Sequence, residues 1–266
     1  MIHWEPRGGV ALATIDRPER RNALNAELCA ALLAHVEAAP AEGVRAIVIT
    51  GTPPAFCAGA DLVTRFGGHD AAGDADAVAD AGYESDHAET SHGGDTFRPT
   101  FERMLDAFEA FPGAVIAAVN GAAYGAGMQL AVACDLRVMA AGARAAIPAA
   151  KLGIVLSGPN ISRLERLVGP GAASSLLMGA AVFDAEECAR VGFAQRVVGD
   201  ALATSLEWAA EIVGLAPLSV SSHKQALHGA PPAVVADLER VAFASRDLQE
   251  GMSAFAEKRP ARFEGR

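Results

Sequence analysis

Paired cysteine and an excess of positive charge are what this sequence lacks, and no secretory leader is expected. Its four cysteines, Cys29, Cys57, Cys134 and Cys188, are scattered with no CxxC pair. That argues against a zinc site or a disulfide framework and for a reducing, cytoplasmic setting. Lys and Arg number 22 against 32 Asp and Glu, a net charge of −10 with no basic stripe to offset it. Nucleic acid is therefore not an expected partner, and an anionic ligand has to be met by local cations. The opening MIHWEPRGG places Glu5 and Pro6 where a secretory leader would run from basic to apolar. His3, His35, His223 and His228 have no ligand spacing with one another or with acids, so no metal is expected. His223 and His228 read as surface positions on a helix.

The run from Ala110 to Cys134 carries no charge and is long enough to cross a bilayer. Gly113, Asn120, Gly121, Gly125, Gly127 and Gln129 interrupt it, however, and much of the rest is alanine. A buried strand turning into a buried helix is expected there, with no membrane span.

What is present is enough apolar sequence, 51% of 266 residues, to bury a full core in one large domain or a domain with an appendage. VALATID (10–16), VRAIVITG (44–51), AVIAAVNG (114–121) and CDLRVMA (134–140) read as buried strands between segments of helical spacing. This alternation indicates an α/β fold and leaves a doubly wound sheet, a barrel and a spiral open. Residues 67–94 form a polar excursion rich in Asp, Gly, Ala and His, the composition of a lid, binding loop or insert. Beyond about residue 200 the pattern is helical only, broken at Pro217 and at Pro231–Pro232. With little sheet left to cover, those helices are expected to pack on their own domain or on another subunit. No internal repeat is visible in the sequence.

Two small-residue turns stand out. AFCAGADL (55–62) follows a buried strand, and NGAAYGAGMQLAVACD (120–135) passes through glycines into an apolar helix whose first N–H groups have no helical partner. Such turns are commonly structural, and they also suit an oxygen ligand. With RPERRNALN (17–25), CDLRV, PAAKLGI (148–154) and the terminal EGMSAFAEKRPARFEG, their order and spacing resemble the crotonase, or enoyl-CoA hydratase/isomerase, superfamily over nearly the whole chain.

The resemblance implies a crotonase-like ββα spiral over residues 1–200 and a C-terminal helical trimerisation segment over 201–266, giving a homotrimer or a dimer of trimers. It implies an acyl-CoA thioester as ligand, with coenzyme A part of that ligand and no separate cofactor. The backbone N–H groups at Ala58 and Ala126 are the positions matched to the oxyanion hole. Arg21, Ala23 and Leu24 match the pantetheine and phosphate contact, Ala60, Asp61 and Leu62 the adenine border, and Phe255 and Lys258 a contact with the neighbouring subunit's ligand.

The sequence departs from that pattern where hydratases carry two glutamates, which here are Gln129 and Ala149. An amide cannot accept a proton at neutral pH and a methyl group can do nothing in acid–base chemistry. Hydration is therefore expected to be very weak or absent, and an acyl-CoA binder in lipid metabolism is the first reading. A crotonase-type enzyme using replacement residues is the second, with Glu84, Asp86, His87, Glu89, His92 and Asp95 of the excursion as candidates. A structural protein that inherited the fold is the third. Lys151, Ser157 and Asn160 flank the second vacant position, as pocket lining or as a surface lysine and helix cap. Cys57 reads as a small core residue, with no histidine partner to activate it.

Overall fold

The apolar runs become the middle of one sheet in the computed structural model, which describes residues 1–62 and 96–266. Among the described residues the strands are β1 (Ile2–Arg7), β2 (Val10–Ile15), β3 (Ala46–Gly51), β4 (Ala55–Cys57), β5 (Ala114–Val119), β6 (Ala122–Tyr124), β7 (Leu136–Ala140), β8 (Arg144–Ala146), β9 (Val182–Asp184) and β10 (Arg196–Val198). The helices are α1 (Ala26–Ala38), α2 (Phe97–Ala110), α3 (Ala126–Ala133), α4 (Gly158–Leu177), α5 (Ala185–Arg190), α6 (Ala201–Val213), α7 (Pro217–Leu227), α8 (Pro232–Phe243) and α9 (Arg246–Glu257).

A large sheet has the order β1-β2-β3-β5-β7-β10, parallel except for the β1–β2 hairpin. A small sheet has the order β4-β6-β8-β9, parallel from β4 to β8. The chain alternates between them, one strand in each and then a helix, as in β5–β6–α3 and β7–β8–α4. These are the repeated ββα coils that the resemblance implied. They leave no sequence repeat because successive coils differ in size: α3 has 8 residues and α4 has 20.

Every residue of β3 and β5 is buried, as a parallel sheet covered on both faces requires. Side chains alternate between the faces. Ile47, Ile49, Val115 and Ala117 pack with Leu32 of α1 and Met104 and Phe108 of α2. Ala46, Val48, Ile116 and Ala118 pack with Ala201 and Ala209 of α6. The first helix after residue 200 thus covers the sheet's second face, whereas the sequence pattern left that segment little sheet to cover. A strand buried on both sides needs a helix on each, and α6 is the one that comes back.

Candidate functional site

Strands β4, β6 and β8 are parallel neighbours in the small sheet, so the segments leaving their C-terminal ends emerge at one edge. Ala55 aligns with Ala122 and Tyr124 with Ala146, and this register sets residues 58–62, the start of α3 and the 3₁₀ turn Pro148–Leu152 side by side. The two small-residue turns interlock closely. A Cβ on Gly127 would sit 2.1 Å from the Cys57 carbonyl oxygen, and one on Gly59 (φ +120°) 3.2 Å from that of Tyr124 and 3.8 Å from the Ala126 nitrogen. Only glycine permits this approach of backbone to backbone.

The expectation for Ala58 is not met. Its N–H donates to the Arg21 carbonyl at 3.0 Å and so faces the 17–25 segment. Ala60, two residues on, has a backbone N–H with no hydrogen-bond partner among the described residues, and so does Ala126 at the first position of α3. The donor beside Ala126 is therefore that of Ala60, because Arg21 has already taken the one at Ala58.

The matched coenzyme A segments do come together. Leu24 N–H donates to Gly59 O at 2.8 Å and Asp61 N–H to Leu24 O at 2.7 Å, an isolated parallel bridge between residues 24 and 60. Arg21 sits in the left-handed region (φ 47°) beside Asn22 (φ 60°). Buried Asn22 pins the turn by donating to the carbonyls of Thr52 and Ala55 at 2.8 and 2.7 Å. Ala23 and Leu62 are half-buried at the edge of this bridge. Two positions differ from expectation. The Leu24 side chain is wholly buried in the main core, leaving only its backbone at the surface of the turn. The Asp61 carboxylate is buried against Arg17 at 2.7 Å, so it serves the turn's own structure, and nothing in the local sequence singles Arg17 out for that part. Phe255 and Lys258 stand exposed at the end of α9, which packs against α8.

Gln129 is half-buried on α3. Its Nε2 donates to Gly125 O at 3.3 Å and its Oε1 accepts from Asn160 Nδ2 at 3.0 Å. Ala149 is half-buried in the 3₁₀ turn and packs on the core. Asn160 is neither a cap nor an exposed lining residue: it is buried, and its Oδ1 accepts from Arg163 Nη1 at 2.7 Å. Ser157 precedes α4 without capping it by its side chain, and Lys151 is exposed. The Cys57 thiol is buried and pushed up to about 12 by that burial, which leaves no thiolate for nucleophilic chemistry. Glu84, Asp86, His87, Glu89, His92 and Asp95 lie outside the described residues. No group of three or more metal-ligating side chains occurs among the described residues.

From Asn160 the polar chain runs on through the fold. Arg163 pairs with Asp106 and, at 2.9 Å, with Glu109. Glu109 Oε1 lies 3.0 Å from His228 Nδ1, off the axis of its N–H, and His228 Nε2 lies 3.2 Å from Asp135 Oδ1. Buried Lys224 joins Asp135 at 2.8 Å and donates to the carbonyls of Phe108 and Gly113. His228 is thus a half-buried link between two carboxylates and not a surface residue, because the turn after α7 folds it back between α2 and β7. His223 is exposed.

Hydrogen bonding to Asp135 and contact with Glu109 raise the His228 imidazole from its ordinary range to about 9. A group whose folded pKa is raised contributes stability that is full below its unfolded pKa and is lost as pH climbs through the folded one. The unfolding free energy of the native chain, relative to His228→Gln, is therefore expected to fall by about 2 kcal/mol between about pH 6 and about pH 9.5. Urea titrations of both chains at the two pH values measure it; a constant difference refutes the assignment.

The family model described as enoyl-CoA hydratase/isomerase matches residues 5–266, and the chain belongs to that family. It is 39% identical over 275 residues to a Mycobacterium tuberculosis protein named "Probable enoyl-CoA hydratase echA6", covering 100% of both chains. It is 34% identical over 275 residues to "Probable enoyl-CoA hydratase" of Rhodobacter capsulatus, covering 100% of this chain and 98% of the other. The crystal structure of an enoyl-CoA hydratase from Polaromonas sp. JS666 superposes with a TM-score of 0.82 at 29% identity, covering 99% of each chain. The fold is that of the crotonase superfamily. No described helix is long and apolar enough to cross a membrane.

Proposed function

We propose that the protein binds acyl-CoA thioesters, holding the thioester carbonyl between the N–H groups of Ala60 and Ala126 and adding little or no hydratase chemistry. The observation that carries this reading is a pair of backbone donors, unpartnered among the described residues, on two interlocked turns at one sheet edge. Donors fixed in advance by the backbone stabilise a carbonyl oxygen as it gains negative charge. Gln129 and Ala149 supply no carboxylate beside them. The bridge between residues 17–25 and 58–62 supports a coenzyme A contact there, with Arg20 and Arg21 as local cations in an acidic chain. Exposed Leu227, Phe243, Met252 and Phe255 on α7–α9 support a homotrimer or a dimer of trimers, in which Phe255 and Lys258 approach a neighbour's ligand. Four buried free thiols suit a reducing, cytoplasmic location.

Titration with saturated and 2,3-unsaturated acyl-CoA, then assays for water addition, double-bond migration and exchange of the α-proton into D₂O, tests the reading. Saturable binding with no turnover and no exchange is the expected result. Exchange or turnover would make the protein an enzyme using replacement residues, and absence of binding would leave a fold kept for another purpose.

A further inference from the structure

The Gln129 amide, at the position matched to a carboxylate, is held one way round. Arg163 carries only N–H donors, so the Asn160 atom 2.7 Å from its Nη1 is the amide oxygen. The Asn160 nitrogen then faces Gln129, and the Gln129 atom 3.0 Å from it is Oε1. The other end of Gln129 meets an independent constraint: it lies 3.3 Å from the Gly125 carbonyl oxygen, an acceptor, and so is Nε2. Two separate partners thus dictate the same orientation. Arg163 is itself held by Asp106 and Glu109, so the device that sets the amide is anchored on α2.

The acceptor end of Gln129 is therefore spent inside the fold. Of the two hydrogens on Nε2, one goes to Gly125 O and the other has no partner among the described residues. Gly125 is the residue before Ala126, whose N–H has no partner among the described residues. Along α3 only Gln129 and Val132 are half-exposed, the remaining residues being buried. A site that in the resemblance takes a proton beside the acyl chain here offers only a hydrogen-bond donor.

We propose that Gln129 is a specificity-determining residue that selects thioesters with a carbonyl oxygen on the acyl chain near the thioester, 3-oxoacyl-CoA over the saturated chain of equal length. Asn160 and Arg163 are the positioning residues that keep its donor outward. The proposal rests on the acyl-CoA reading above. A 3-oxo group accepts the free N–H, whereas a saturated chain buries that N–H without a partner.

Calorimetric titration with 3-oxobutanoyl-CoA and butanoyl-CoA tests this, and neither ligand has a 2,3 double bond that could be hydrated. The native chain is expected to prefer the 3-oxo ligand about three- to tenfold, the worth of one net hydrogen bond. In Asn160→Asp the carboxylate keeps Arg163 but faces Gln129 with an acceptor. Because an ionised acceptor draws an N–H more strongly than the neutral Gly125 carbonyl does, the amide is expected to turn over and the preference to fall to about one or reverse. Gln129→Met, which removes the donor at similar volume, is expected to bring the ratio to about one as well. Equal affinities in the native chain would overturn the proposal and leave acyl-CoA binding standing. No binding of either ligand to the native chain would sink both readings. A 3-oxo preference that survives in both variants would show that another group sets it.

Discussion

The double substitution Gln129→Glu, Ala149→Glu is expected to raise water addition to a 2,3-unsaturated acyl-CoA by about a hundredfold to ten-thousandfold over the native chain. The two positions come after β6 and β8, aligned at Tyr124 and Ala146, so both side chains start from one edge of the small sheet. A glutamate at position 129 would meet the Asn160 N–H that now donates to Gln129, a contact that holds a carboxylate in its ionised form. One carboxylate activates the water and the other returns a proton to the acyl chain, so the two act as a unit and each single substitution is expected to recover little. The loss of enoyl absorbance with time measures the rate. An unchanged rate in a variant that still binds the ligand would mean that the scaffold does not hold the acyl chain between these positions, against the proposed function.

Arg137→Met is expected to cost about 3–5 kcal/mol of stability, at the upper end for one substitution. Arg137 is 2% exposed, and its guanidinium donates to the carbonyls of Phe193, Ala131, Cys134 and Asp135. It also lies over the Phe193 ring, 5.7 Å from its centroid. Methionine fills much of the same space but leaves those buried acceptors without a donor, and this outweighs the relief of removing a buried charge. Because Ala131 and Cys134 end α3, the loss loosens the helix whose other end carries Ala126 and Gln129. A urea midpoint far below that of the native chain, together with weaker acyl-CoA binding, is the expected pair of results. A midpoint close to the native value would show that water or other donors satisfy the carbonyls.

The strands around β3 and β5 were readable because complete burial leaves an unbroken apolar run, a signal carried by the residues themselves. The two glycine-containing turns were readable for a similar reason, since backbones that touch exclude every larger side chain. Which N–H in the first turn stays free was not readable. Ala58 and Ala60 are the same residue in the same turn, and what separates them is a carbonyl at Arg21, far back in the chain.

The same holds for the charged and polar residues. Asp61 pairs with Arg17, Gln129 with Asn160, and His228 with Asp135, at sequence separations that no local pattern records. By itself, then, the sequence determined the alternation of buried strands with helices, the two backbone turns and the absence of glutamate at 129 and 149, because each is a matter of residue size or identity along a short stretch. The coiling of those strands into two sheets came from the tertiary structure. Only the tertiary structure decided which donors remain unspent and which way the Gln129 amide points. Hydrogen bonds are shared out among groups by distance in space, and each one made elsewhere in the fold removes a donor or acceptor from the site.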